Sequence, residues 1–469
     1  MKLNYNPTEM TRLLLKAQRA LRWAFCLGAV LITTTTASAA ITQWVTPYGT
    51  QVVFLAAKEI PMVDVSIDLD AGSRWDPEGR SGLASMTLAM LAKGVAAQSG
   101  QPALSETAIS EAFAELAAQR GGSVSLDRAT ITLRALADRE VRQSAAMLVS
   151  RLMNHPVFDA NILDREKQRS IASIRESMTQ PQSIATKALW QSMYPNHPYG
   201  QSSTPESIAA ITADDLARFH QTYWQPQRMR ITIVGALSEE EARELVERLM
   251  IYSPKQAAAP LRPSMQKPGP AVSTQSSGMS LKRQAIPHPA TQSHVWMGLP
   301  ALARDDPDFF AITVGNYILG GGGFVSRLTE EIREKRGLSY SVFSAFQPLV
   351  QPGPFLIGLQ TQNAKAPQAL SVVEDTLRRF LRDGPTEKEL RAAKQNLVGG
   401  FALRVDSNRK LLDNLAQINY YDLPLDYLQT WTKKVSAVSA ADIRKAMSRA
   451  VQLDRLSVVV VAGPEGFTP

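Results

Sequence analysis

Apolar and polar positions follow two periods along the chain, about 2 and about 3.6 residues, which predict strands and helices respectively. Residues 62–70 alternate and predict a half-buried strand, whereas the apolar spacing over residues 82–93 predicts a helix. The pair Gly121-Gly122 is expected to close a helix over residues 105–119. The first half contains further predicted strands over residues 45–50, 51–57, 124–126, 129–135 and 229–234 and helices over 140–153, 160–178, 183–193, 213–223 and 238–250.

Residues 253–283 interrupt this pattern, because they are rich in Pro, Ser, Gln, Ala and Lys and lack apolar periodicity, as linkers do. Beyond them the order of elements repeats, with strands over 293–298, 338–346, 355–362 and 456–461 and helices over 308–319, 326–335, 367–382, 387–402 and 440–450. The sequence therefore predicts an α+β protein with two similar domains, residues 40–252 and residues 284–469. Each domain is expected to be a mainly antiparallel sheet with helices packed on one face.

The first 39 residues have the order of a secretory signal peptide. Basic residues run to Arg22, the apolar run Trp23–Ile32 follows, and Ala37-Ser38-Ala39 ends the segment. An uncleaved anchor is the alternative, but a membrane-spanning helix needs about 20 apolar residues, about twice this run. We therefore expect cleavage before Ala40, no stable membrane insertion afterwards, and a periplasmic location.

Composition excludes several classes of protein. The chain has 469 residues, of which 44% are hydrophobic and 20% charged, so it is neither disordered nor a polytopic membrane protein. Its one cysteine excludes a disulfide scaffold and a CxxC metal site. The net charge is +8, about half of it in the first 39 residues, which is too mild a surplus to indicate nucleic-acid binding.

Four stretches carry a resemblance to a known family: AGSRWDPEGRSGLASMTLAMLAKG at 71–94, the stretch 197–226, GNYILGGGGFVSRLTEEIREKRGLSYSVFS at 315–344, and residues 396–463. In this order they resemble the pitrilysin/insulinase-type zinc metallopeptidases, which include processing-peptidase subunits. The resemblance implies two homologous α+β domains arranged as a clamshell.

The resemblance also locates a degenerate zinc site. Active members carry H-x-x-E-H, which places two zinc ligands on one helix face and a glutamate beside the metal-bound water. The matching positions here are Ser85, Leu88 and Ala89, and the five histidines of the chain show no metal spacing. The family's third ligand would correspond to Glu166 or Glu176, and one carboxylate does not hold a catalytic zinc. We expect no metal in this chain.

Ser85, Ala89 and Ala92 form a face of small residues on the predicted helix. Close packing against a neighbouring element is the expected reason, and an empty vestigial pocket is the alternative. Nucleophilic catalysis by Ser85 is disfavoured, because the sequence has no G-x-S-x-G motif and no base that can be placed beside it.

The second half retains another feature of the resemblance, an arginine and a tyrosine seven residues apart that bind substrate near the scissile carbonyl. These positions are Arg333, near the end of a predicted helix, and Tyr340, early on a predicted strand, so both can face one space. The alternatives are that Arg333 pairs with Glu330 or Glu331, and that Tyr340 is an interface aromatic. The glycine-rich turn Gly320, Gly321, Gly322 and Gly323 is no phosphate loop, because no GK[ST] follows; a tight turn is the simpler reading.

These features favour a catalytically silent subunit of a zinc metallopeptidase heterodimer. A homologous partner with an intact H-x-x-E-H would carry the zinc, and this chain would contribute Arg333 and Tyr340 to the grip on a peptide substrate. The alternative is a structural or binding pseudo-peptidase with no role in proteolysis. In either case the chain is not expected to be an enzyme on its own.

Overall fold

The computed structural model describes residues 41–98, 100–253 and 282–463, and the chain from Ile41 onward forms one compact unit. The predicted signal peptide and nearly all of the predicted linker lie outside the described residues. No described helix is long and apolar enough to cross a membrane.

The first domain is built on a six-stranded sheet with strand order β1-β2-β8-β3-β7-β6, in which only β2 and β8 are parallel. Its strands are β1 (Thr42–Val45), β2 (Gln51–Ala56), β3 (Met62–Leu69), β6 (Gln119–Val124), β7 (Ala129–Leu136) and β8 (Met229–Gly235), with a separate small ribbon of β4 (Gly94–Val95) and β5 (Leu104–Ser105). Its helices are α1 (Leu83–Met90), α2 (Glu106–Glu115), α3 (Arg139–Asn154), α4 (Ala160–Ser177), α5 (Pro181–Met193), α6 (Pro205–Ala209), α7 (Ala213–Tyr223) and α8 (Glu239–Leu249).

The second domain has a five-stranded sheet with strand order β11-β12-β10-β13-β9, in which β13 and β9 are parallel. Its strands are β9 (Arg283–Pro287), β10 (Gln292–Leu302), β11 (Ser339–Phe346), β12 (Gly353–Gln362) and β13 (Ser457–Ala462). Its helices are α9 (Phe309–Asn316), α10 (Arg327–Thr329), α11 (Ala366–Asp383), α12 (Glu387–Gly399), α13 (Asn408–Tyr420), α14 (Tyr427–Ala437) and α15 (Ala440–Ala450), and the π-helical turns Tyr317–Gly321 and Glu330–Glu334 continue α9 and α10. The α+β class and the mainly antiparallel sheets are confirmed.

The two domains exchange one helix each, a feature that the sequence pattern does not predict. Along β13, Val458 and Val460 face the core that the second domain's own helices cover, whereas Val459 and Val461 face α5 of the first domain. Reciprocally, α13 lies on β8, β3 and β2 of the first sheet. Each sheet is therefore buried on both faces, and its helices come from both domains.

The domains also share a buried carboxylate. Asp127, in the turn between β6 and β7, is fully buried and accepts hydrogen bonds from Arg74 Nη1 (3.1 Å) and Tyr199 OH (2.6 Å) in its own domain. From the second domain the Val350 amide (2.9 Å) and Tyr421 OH (3.3 Å) donate to its other oxygen. Because one oxygen accepts from the first domain and the other from the second, Asp127 joins the domains and neither buried oxygen is left without a hydrogen bond.

The sequence prediction that Gly121 and Gly122 close a helix is wrong: α2 ends at Glu115, and the glycines lie within edge strand β6, which was predicted only over residues 124–126. A Cβ on Gly122 would lie 3.2 Å from both Leu88 Cδ2 and the Thr130 carbonyl oxygen, so the glycine allows the close approach of α1 to β6. Helices α13 and α14 and strand β9 were not predicted.

Candidate functional site

Helix α1, which carries the degenerate zinc positions, is held by a buried aspartate. Asp76 accepts hydrogen bonds from the amides of Gly82 (2.7 Å) and Ala84 (2.8 Å), at the start of the helix. Burial raises the pKa of Asp76 to about 6, against the effect of these hydrogen bonds. Ser85 and Ala89 follow one turn apart and are both exposed, so the family's two histidine positions share one open face.

This face borders a cavity of about 460 Å³, so the expectation of close packing is wrong for Ser85 and Ala89, while Ala92 is buried. Leu88, at the position of the catalytic glutamate, lies on its wall. The remaining lining is mostly apolar, with Leu91, Ala92, Val124, Ile131, Val149 and Leu152, and its polar groups include Lys93, Arg120, Ser123 and Glu166. The three motif positions Ser85, Leu88 and Ala89 thus offer neither a histidine ligand nor a carboxylate base at this cavity.

Glu166, and not Glu176, lies at this cavity; Glu176 is exposed elsewhere on α4. The Glu166 carboxylate is 3.3 Å from Lys93 Nζ and 2.8 Å from both Arg165 Nη2 and Arg169 Nη1. Burial acts to raise the pKa of Glu166, but the hydrogen bonds from Arg165 and Lys93 outweigh it and leave the pKa below its ordinary value. The one carboxylate that could face a metal is therefore engaged by three cations.

The residues present do not fit a zinc ion. Among the described residues there is no group of three or more His, Cys, Asp or Glu side chains that could hold a metal. His197 is buried in a loop and accepts from the Tyr199 amide (3.1 Å), while His220 Nε2 lies 2.7 Å from the Met153 carbonyl. Both histidines therefore serve local structure.

Arg333 and Tyr340 do come together in the second domain. Arg333 lies in the π-helical turn after α10 and Tyr340 on β11, and the guanidinium carbon is 4.8 Å from the centre of the tyrosine ring. Tyr340 is 84% exposed, which leaves its ring and hydroxyl open to a ligand. The prediction that both side chains face one space is correct.

Arg333 does not pair with the acids considered from sequence. Glu331 binds Lys335 and Arg336, each at 2.7 Å, and Glu330 binds Lys335 at 2.9 Å. The ion pair of Arg333 is with Glu334, 3.5 Å from Nε, and no hydrogen bond from its guanidinium is present in the described part of the chain. Its charge is thus less neutralised than that of its neighbours.

Comparisons with known proteins agree with the resemblance seen in the sequence. The family profile described as "Insulinase (Peptidase family M16)" matches residues 51–205, and that described as "Peptidase M16 inactive domain" matches residues 210–397. The crystal structure of a peptidase M16 inactive domain from Pseudomonas fluorescens is 31% identical with a TM-score of 0.82, over 92% of this chain and 100% of that one. The chain belongs to the insulinase family of peptidases, family M16.

Two further proteins are similar to this chain. The non-peptidase homolog YmxG of Helicobacter pylori is 26% identical over 360 residues, which are 75% of this chain and 79% of that protein. The periplasmic protease PqqL of Escherichia coli shares the fold, with 16% identity and a TM-score of 0.73; the match covers 91% of this chain but 46% of that one. With no zinc ligand at the motif positions, this M16 chain is a pseudo-peptidase.

Sequence reasoning missed two functional neighbours. Lys93, which neutralises Glu166, and Phe324, which contacts Arg333, were not singled out. Lys93 lies one turn after Ala89, so its helical spacing could have placed it at the cavity. Phe324 follows the glycine turn directly, but only the folded turn shows where its ring lies.

Proposed function

We propose that this pseudo-peptidase is the non-catalytic subunit of a periplasmic zinc metallopeptidase heterodimer. The observation that carries the proposal is the contrast between motif positions without zinc ligands and a partly buried Arg333 beside an exposed Tyr340. A homologous partner with an intact H-x-x-E-H would hold the zinc, and this chain would complete the partner's site.

The chemistry of the pair suits a peptide carbonyl. Arg333 offers a fork of N–H donors with a fixed positive charge, and Tyr340 offers a hydroxyl donor. Such donors stabilise the negative charge that develops on a carbonyl oxygen during attack on a peptide bond. Zinc in the partner would supply the activated water, and this chain would bind and orient the peptide.

The length of the match to PqqL supports a two-part assembly. A chain of this size corresponds to 46% of that protease, so a second unit of similar size would be needed to reach its length. PqqL is described as periplasmic, in keeping with the secretory signal expected at residues 1–39.

The test is to mix the purified chain with the H-x-x-E-H homologue from the same genome and to measure peptide cleavage. We expect activity from the mixture alone. Arg333→Ala should lower kcat/KM about 100-fold, the usual effect of removing an oxyanion donor, and Tyr340→Phe should lower it about tenfold. Arg382→Ala, an exposed arginine paired with Asp383, is the matched control and should have no effect. Full activity of the Arg333→Ala mixture would refute the proposal.

A structural role is the second candidate, and one observation favours it. Phe324, Val325 and Tyr340 are 75%, 70% and 84% exposed, and such apolar exposure is typical of a protein interface. On this account the two chains would form a stable complex that cleaves no peptide, and Arg333→Ala would weaken the complex itself.

A further inference from the structure

Phe324 is a large apolar side chain that the fold leaves 75% exposed, immediately after four consecutive glycines. Exposing so large a ring forgoes the free energy that its burial would provide. The surrounding backbone shows that the position of this ring is set by the turn and is not a consequence of loose structure.

The glycine turn packs too tightly for side chains. A Cβ on Gly320 would lie 2.6 Å from the Ser344 backbone nitrogen of β11, and Gly323 has a φ of +63°, a conformation that L-residues rarely adopt. The π-helical turn Tyr317–Gly321 precedes this bend, and π-helical turns occur often at functional sites. The turn thus brings the chain against β11 and delivers Phe324 at a fixed place.

That place is beside Arg333. The guanidinium carbon of Arg333 lies 4.7 Å from the centre of the Phe324 ring and 4.8 Å from that of Tyr340. Both distances are within the range of attractive cation–π contacts. Two aromatic rings therefore hold a guanidinium whose hydrogen-bonding capacity is unused among the described residues, and they restrict its side-chain freedom before any ligand arrives.

We propose that Phe324 is a positioning residue for Arg333. Its ring fixes the guanidinium so that the N–H donors face a carbonyl or carboxylate oxygen of a peptide, and the exposed surface of Phe324 and Val325 contacts a hydrophobic side chain next to that oxygen. The substrate class is therefore peptides with a hydrophobic residue beside the gripped group. This selectivity rests on the proposed function, whereas the positioning of Arg333 does not.

Positioning is tested on the full chain alone by NMR of the arginine Nε–Hε group. Arg333→Lys identifies the signal, which we expect to be displaced by ring currents from the signals of exposed arginines. Phe324→Leu keeps an apolar side chain but removes the ring, so the Arg333 signal should move toward the signals of exposed arginines. Phe324→Tyr keeps a ring and should leave the Arg333 signal displaced. Leu403→Ala, at a side chain that is 68% exposed in the same domain, should leave the signal unmoved. A signal that Phe324→Leu does not move would overturn the positioning role.

Selectivity is tested in the mixture with the partner, using two peptides that differ only in a phenylalanine or a glycine beside the cleaved bond. Phe324→Leu should lower kcat/KM about threefold for the phenylalanine peptide, the loss expected for one exposed cation–π contact, and should narrow the preference between the peptides. Phe324→Tyr should keep both the kcat/KM for the phenylalanine peptide and the preference between the peptides at the values of the unmodified chain. An unchanged preference contradicts the assigned substrate class. If the mixture cleaves neither peptide, the proposed function and the selectivity fail together, and the NMR result still decides the positioning role.

Discussion

The first domain of this chain carries the degenerate zinc positions and the second carries Arg333 and Tyr340, and the charged groups at the two places are in opposite states. In the first domain the groups at the cavity neutralise one another, since Glu166 is bound by Lys93, Arg165 and Arg169. In the second domain Arg333 makes no hydrogen bond among the described residues, and Tyr340 is 84% exposed. The charged groups around the degenerate zinc positions thus satisfy one another, whereas the donors of the Arg333 guanidinium stay unused among the described residues.

The exchanged helices extend the comparison to the sheets. The face of the second sheet that α5 covers is apolar, with Leu356, Val459 and Val461. On the face of the first sheet that α13 covers, Val234 joins the core of the second domain, and Asn419 of α13 donates to the Ile231 carbonyl and to Thr232 Oγ1, each at 3.0 Å. The chain thus joins its domains by hydrophobic burial and hydrogen bonds together.

The largest predicted effect tests whether the domains form one unit. Asp127→Asn removes the charge beside the buried Arg74 and places an amide against donors from both domains, so we expect a loss of about 3 kcal/mol in the free energy of unfolding. Urea unfolding measures it. Asp375→Asn, which breaks an exposed pair with Arg378, should change stability by less than about 0.5 kcal/mol. Equal stability of the two variants would show that Asp127 does not join the domains.

The next prediction tests whether the first domain lacks only the zinc-binding side chains or also the geometry that would hold a zinc ion. The variant Ser85→His/Leu88→Glu/Ala89→His restores the motif on α1, and Glu166, which its three cations now hold, would be the third ligand. We expect it to bind zinc, and adding Lys93→Ala should tighten binding about tenfold by removing the ammonium 3.3 Å from Glu166.

Chelator competition gives both zinc affinities. Lys58→Ala, at an exposed lysine, is the control for the added substitution. An equal zinc affinity with and without Lys93→Ala would mean that Lys93 does not compete with zinc for the Glu166 carboxylate.

The smallest effect concerns how the segment that carries Arg333 is anchored. Arg327, at the start of α10, binds both oxygens of Glu389 (2.5 and 2.7 Å), and the Thr386 amide donates to the same carboxylate. Burial acts to raise the pKa of Glu389, but these hydrogen bonds lower it from 4.5 to about 2. Because the folded pKa lies below the unfolded one, the stabilisation is full above about pH 4.5 and fades as the pH falls toward 2.

Glu389→Gln should therefore cost about 1 kcal/mol at pH 7 and progressively less in acid. Urea titrations over this pH range measure the difference from the unmodified chain. Glu387→Gln, on the same helix but exposed, is the control. A cost that stays constant down to pH 2 would contradict the anchoring by an ionised Glu389.

Most strands and helices could be predicted because their own pattern determines them. Residues 213–223 and 440–450 form helices over the predicted ranges, since each buries an apolar stripe in its own domain. Helix α13 could not be predicted in this way, because residues such as Asn419 are buried against another domain's sheet. Gly122 was misread for a similar reason: its role depends on the distance to Leu88, which is 34 positions away in sequence but adjacent in space.

The site residues that belong to a sequence motif could be predicted, whereas those brought to the site only by folding could not. The spacing of Arg333 and Tyr340 predicted that both side chains face one space, and they do lie together. The position of the Phe324 ring beside them could be seen only in the folded turn. Likewise, the sequence left Glu166 and Glu176 equivalent, and only the folded chain places Glu166 at the cavity, 3.3 Å from Lys93 Nζ.

The most direct test of the central claim is the zinc content and peptidase activity of the isolated chain after metal removal and incubation with zinc. The account predicts substoichiometric zinc and no cleavage, with activity appearing on addition of the H-x-x-E-H partner and lost with Arg333→Ala. An isolated chain that holds one zinc ion and digests peptides unaided would contradict it.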